Sequence, residues 1–228
     1  MSSSDIWVVI HPEVTALSVV QVRQMMSAVQ KQLTRDFCPA WDLKSVKLHG
    51  PTTPKLVPSG VRQLVFLNDA DSPGALGYHS DDTSDAPVGK VFVKTIMKYN
   101  ASVSVTFSHE VLEMVADAWA NYWADNGKST LYALEVCDPV EEQTYKVGTV
   151  DVSNFVLPSY FDATVEAGCS KFDFLSSLKA PFSLASGGYV IKQAGGKITQ
   201  QFAKAYPAWR KRMKKLGKSR SAKRGALK

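Results

Sequence analysis

The chain has 228 residues, 45% of them hydrophobic, which is enough to bury a full core as one domain with a small appendage. Its three cysteines, Cys38, Cys137 and Cys169, form no C-x-x-C pair and make an odd number. They argue against a disulfide framework and for a reducing compartment, the cytoplasm or a virion interior. The net charge of +6 is segregated: 11 of the 27 Lys and Arg fall in residues 204–228, which hold no Asp or Glu, leaving 16 basic against 21 acidic residues in 1–203. The expectation is an acidic globular domain over 1–203 and a basic, flexible tail over 204–228. Nucleic acid or an acidic protein surface is the partner such a tail suits. No apolar run approaches the ~20 residues that span a bilayer. No basic region precedes the first apolar run, which stops at Pro12, so neither a membrane span nor a secretory signal is expected.

Residues 6–10 are a β-branched run and read as the first strand. Leu17, Val20, Met25, Val29 and Leu33 then recur at helical spacing, predicting an amphipathic helix to about Phe37. Strands are expected at 46–48 and 61–66, with loops at Pro51-Thr52-Thr53-Pro54 and Pro58-Ser59-Gly60 between them. Residues 68–87, rich in Asp, Ser, Gly and Pro, read as a loop containing Gly77-Tyr78-His79. After a strand at 91–93, a long helix is expected over 103–122, with Ser102 or Ser104 as its N-cap. Short strands follow at 131–136, 144–147 and 150–152. Residues 158–182 are irregular, and a late strand at 187–191 leads through Gly195-Gly196 to Lys197-Ile198-Thr199. The sum is an α+β fold: a mixed sheet early, one central helix, and a loopy, strand-rich second half.

That central helix carries Ser108-His109-Glu110-Val111-Leu112-Glu113. His109 and Glu113 are one turn apart and share a helix face, with Glu110 beside them, while Val111, Leu112, Val115 and Ala118 read as the buried side. Polar groups on a core helix are costly unless something satisfies them, and a metal ion would. H-E-x-x-E is one letter from the H-E-x-x-H helix of zinc peptidases, in which two ligands flank a general base. On that pattern His109 and Glu113 are metal ligands and Glu110 is the base that takes a proton from water. Replacing an imidazole by a carboxylate makes the site harder and more anionic, so zinc competes there with other divalent ions. The alternative is a buried carboxylate–histidine network with no metal.

The third ligand must come from elsewhere. Asp117 lies ~12 Å from His109 along a continuous helix and suits a helix end or an outer hydrogen-bond acceptor. Leu134-Glu135-Val136-Cys137-Asp138 supplies two carboxylates at a strand end. Glu135 is the first choice, Asp138 the second and Cys137 an outsider. Among the remaining histidines, His79 can orient substrate or water, whereas His11 and His49 read as turn or surface residues.

Ser108-His109-Glu110-x-x-Glu113-x-x-x-Asp117, followed by Glu135-Val136-Cys137-Asp138, resembles the S-H-E-x-x-E helix and later E-[IV]-x-D element of zincin-like proteins. These include plant exordium-type proteins and uncharacterised bacterial and phage relatives. Gly74-Ala75-Leu76-Gly77-Tyr78-His79 and Lys90-Val91-Phe92-Val93 are similar to the segment ahead of that helix in the bacterial and phage members, so the likeness spans roughly residues 20–191. The resemblance implies a zincin-like fold, with a mixed sheet packed on the active-site helix. It also implies His109 and Glu113 as ligands, Glu110 as base, and Glu135 or Asp138 as a further ligand. Two functions are compatible with it. One is a metal-dependent, peptidase-like hydrolase acting on a peptide or protein. The other is a non-catalytic binding protein on the same scaffold, such as a phage virion component whose basic tail contacts nucleic acid.

Overall fold

The computed structural model describes residues 4–72, 75–80 and 86–205. Apart from Lys204 and Ala205, the predicted basic tail lies outside the described residues. The chain opens with β1 (Ile6–Ile10) and α1 (Val19–Lys31). A capping box starts α1: Ser18 Oγ accepts from Gln21 N–H while the Gln21 side chain accepts from Ser18 N–H. The helix widens into a π-helical stretch, Gln32–Phe37, and ends in α2 (Cys38–Ala40). Next come β2 (Leu48–Thr52), β3 (Arg62–Leu67), β4 (Gly77–Ser80) and β5 (Val88–Phe92). These strands form one five-stranded sheet in the order β2-β1-β3-β5-β4, in which all neighbours are parallel except the edge pair β4 and β5.

Two helices follow, α3 (Val93–Lys98) and α4 (Val103–Ala116). Beyond them lie β6 (Trp123–Asp125), β7 (Thr130–Ala133), β8 (Thr144–Val147), β9 (Val150–Ser153), β10 (Tyr189–Ala194) and β11 (Lys197–Phe202). β8 and β9 make a hairpin, and the others an antiparallel sheet in the order β11-β10-β7-β6. The architecture is thus mixed α+β, with several sheets and few helices. α4 lies at its centre, touching β4 and β5 on one side and β9 on another, with α1 alongside. One hydrophobic core joins Val8 and Leu64 of the large sheet, Val29 and Leu33 of the first helical stretch, Val111 and Leu112 of α4, and Val152 and Phe155 beyond it. Among the described residues no helix is long and apolar enough to cross a membrane.

Several elements differ from the sequence expectation for physical reasons. β2 starts at Leu48 and runs through Pro51-Thr52, the first half of the loop expected at 51–54; it is an edge strand, where a proline need not donate to a neighbour. β4 arises inside the stretch read as a loop, because Gly77 to Ser80 pair with Val91 to Val88. Val93 opens α3 instead of ending a strand. β7 stops at Ala133, leaving Glu135 to Asp138 on the connection that follows. The expected turn at Gly195-Gly196 is present, with φ of 54° and 73°, the left-handed pair that a two-residue hairpin loop requires.

Candidate metal centre

Ser102 caps α4 by accepting from Val105 N–H. Every residue from 106 to 114 is buried, so this helix is enclosed all round and has no solvated polar face. Its polar groups are satisfied by specific partners instead. Ser108 Oγ donates to Gln32 Oε1 at 2.7 Å and accepts from Ser153 N–H at 3.1 Å. Gln32 Nε2 in turn donates to Ser153 O and Tyr145 Oη, and Tyr145 donates to Asp36. This chain of hydrogen bonds ties α4 to the π-helical stretch and to the β8–β9 hairpin, fixing the helix in rotation and along its axis.

The connection after β7 crosses beside α4. Cys137 Sγ donates to the His109 carbonyl at 3.8 Å, and Cys137 N–H donates to Glu113 Oε1 at 3.4 Å. These contacts bring Asp138 to His109. His109 Nε2 is 3.1 Å from Glu113 Oε1 and 3.1 Å from Asp138 Oδ1, yet it forms no hydrogen bond with either. A buried ring nitrogen close to two carboxylate oxygens but aligned with neither is unusual for a network built from hydrogen bonds. Ligand atoms ~2.0–2.2 Å from a tetrahedral ion stand roughly 3.3–3.6 Å from each other, close to the spacing seen here. Ligand atoms of Glu113, Glu135 and Asp138 also lie within 4.8 Å of one another, as do those of His109, Glu113 and Cys137.

Four carboxylates and two imidazoles meet in this cluster: His79, His109, Glu110, Glu113, Glu135 and Asp138, none more than 5% exposed. Burial pushes the Glu113 carboxyl up to about 7 against the opposing charge of His109, and Glu135 and Asp138 add like-charge repulsion. For His109, burial disfavours the cation but Glu113 and Asp138 outweigh it, holding its pKa well above the usual histidine range. The Cys137 thiol is driven well up by burial and remains neutral, which sets it behind Asp138 as a ligand. The donor set is oxygen and imidazole nitrogen, which suits zinc and manganese alike.

His79 arrives from β4. Its side chain is fully buried, with Nδ1 3.6 Å from both Glu110 Oε2 and Glu113 Oε2. Its Nε2 lies 3.0 Å from the Asp117 carbonyl, an acceptor only, so that nitrogen carries the proton and donates. Asp117 provides this carbonyl because α4 ends at Ala116, six residues before the sequence expectation, although no glycine breaks it. Its carboxylate accepts from the N–H groups of Asn121 and Tyr122 and holds the chain in a reversal, with Ala120 at φ 50°. Asp117 therefore acts through His79 and the helix end, and its carboxylate is occupied outside the cluster.

Gly77 sets how close β4 can come. A Cβ there would stand 2.8 Å from the Lys90 carbonyl oxygen and 2.9 Å from Glu110 Oε1. Gly77→Ala is expected to lose ~1–3 kcal/mol of stability in urea unfolding and to push Glu110 off His79. An unchanged midpoint would show that the strand has room to spare.

His109, Glu110, Glu113, Glu135 and Asp138, the sequence candidates, are thus brought together. His79, read only as an orienting group, stands among them. The remaining histidines are engaged elsewhere: His49 pairs with Asp5 at 2.9 Å and stacks on Trp7, and His11 lies 3.6 Å from Glu13. No family model, curated protein or solved structure matches the chain, so what the site does must be argued from its geometry.

Proposed function

We propose that the chain is a divalent-metal-dependent, peptidase-like hydrolase on a zincin-like scaffold. The observation that carries this reading is that Glu113 Oε1 and Asp138 Oδ1 each lie 3.1 Å from His109 Nε2 without a hydrogen bond at the imidazole. His109, Glu113 and Asp138 would hold the ion, with Glu135 placed to complete or exchange with Asp138. The mixed sheet packed against α4 is the arrangement that the sequence resemblance implied, and supports the scaffold assignment. A bound zinc ion would supply Lewis acidity, polarising a carbonyl and making water acidic enough to attack near neutral pH. Glu110, next to Glu113's helical turn, accepts the proton of the attacking water and returns it to the leaving amine.

The test is elemental analysis of purified protein beside the His109→Ala/Glu113→Ala double variant. At least one divalent ion per chain, absent from the variant, is expected. A chain that binds none after zinc, manganese or calcium is supplied refutes the reading. The near-complete burial of these groups favours a second reading, a binding protein that keeps the ion for stability alone; it shares the metal but not the turnover.

A further inference from the structure

The two oxygens of Glu113 face different imidazoles. Oε1 lies against His109 Nε2, and Oε2 lies against His79 Nδ1. His79 cannot turn its other nitrogen inward, because Nε2–H is committed to the Asp117 carbonyl. Nδ1 is consequently aimed into the cluster, buried and without a hydrogen bond. Two carboxylate oxygens, on Glu110 and Glu113, are each 3.6 Å away. An imidazolium paired directly with a carboxylate closes to roughly 2.7–2.9 Å. Two equal, longer separations are instead those of ligand atoms around a shared ion, and the three side chains offer atoms within 4.8 Å of one another.

We infer a second divalent-cation site formed by His79 Nδ1, Glu110 Oε2 and Glu113 Oε2, with Glu113 bridging it to the ion on His109. The inference rests on the reading of His109 and Glu113 as ligands of a first ion. A carboxylate bridge of this kind sets two ions ~3.5–4 Å apart. Glu110 belongs to both arrangements. With one ion bound its carboxylate is available as the base; with the second site filled the oxygen facing His79 is engaged, so the second ion acts as a brake on turnover.

Equilibrium dialysis of the chelator-stripped full chain against zinc, with the bound metal counted per chain, tests this. Two ions are expected in the unsubstituted protein and one in His79→Gln, whose amide still donates to the Asp117 carbonyl. His109→Ala removes the other ion, and Glu110→Gln weakens the second by at least about 10-fold. Should His79→Gln fail to fold, Glu110→Gln reads the same site. A single ion that His79→Gln leaves in place, or a single ion lost in both histidine variants, overturns the second site while leaving the first. No ion in any form overturns both.

Discussion

Stripping the chain with a chelator is expected to lower its unfolding midpoint by roughly 8–16 °C relative to the same chain in saturating zinc. A ligand held at 1,000 times its dissociation constant stabilises by ~4.1 kcal/mol, and each kcal/mol moves a chain of this size by ~2–4 °C. The source of the effect is specific. Glu110, Glu113, Glu135 and Asp138 are at most 4% exposed and lie within one cluster. Without a cation their burial and mutual repulsion are borne by the fold: burial first, with Glu135 and Asp138 adding like charge, lifts the Glu113 carboxyl to about 7. Glu113→Gln should therefore act with opposite signs in the two states. In stripped protein it removes one of four crowded charges and is neutral or stabilising. In zinc-loaded protein it removes a ligand and most of the metal's stabilisation. Thermal melts of both proteins, with and without zinc, give the four values needed. Equal midpoints for loaded and stripped protein would mean that the cluster is held by hydrogen bonds and protons alone.

The part of this site that could be read from sequence is the part built within one helix. His109, Glu110 and Glu113 follow from period and spacing, and the Ser102 cap fixes where the helix starts. Glu135 and Asp138 were legible as a pair because a carboxylate among apolar neighbours needs a partner. Which of them faces His109 was not, since that depends on Cys137 docking its N–H on Glu113 and its thiol on the His109 carbonyl. His79 was harder still. Its place comes from pairing opposite Gly89 in the large sheet and from a helix that ends at Asp117. A four-residue strand inside a Gly/Asp-rich stretch gives almost no periodic signal, and a helix stopped by a tertiary contact carries no terminator in its sequence. The all-round burial of α4 was likewise invisible, because β9 beside Ser108, β4 beside Glu110 and Glu113, and the connection carrying Asp138 beside His109 are brought there only by the assembled core.

Glu110→Gln is expected to lower turnover by about 10²–10⁴-fold on any peptide that the unsubstituted chain cleaves, while leaving KM, fold and the ion on His109 in place. The amide has the size of the carboxylate, so it fits the same space against Gly77 and beside His79. What it lacks is the ability to take a proton at neutral pH. The measurement is kcat and KM at one equivalent of zinc, where the His109 site is filled and Glu110 is not drawn onto a second ion. Bound zinc and the unfolding midpoint are recorded on the same samples. Loss of turnover with zinc retained assigns the proton transfer to Glu110. Loss of turnover together with zinc would make Glu110 a ligand of the first ion and not the base. Full activity would send the search for the base to His79, whose Nδ1 lies 3.6 Å from Glu110 Oε2 and from Glu113 Oε2. Zinc bound with no cleavage by either form would favour the binding protein, in which the burial that shields these carboxylates also closes them to substrate.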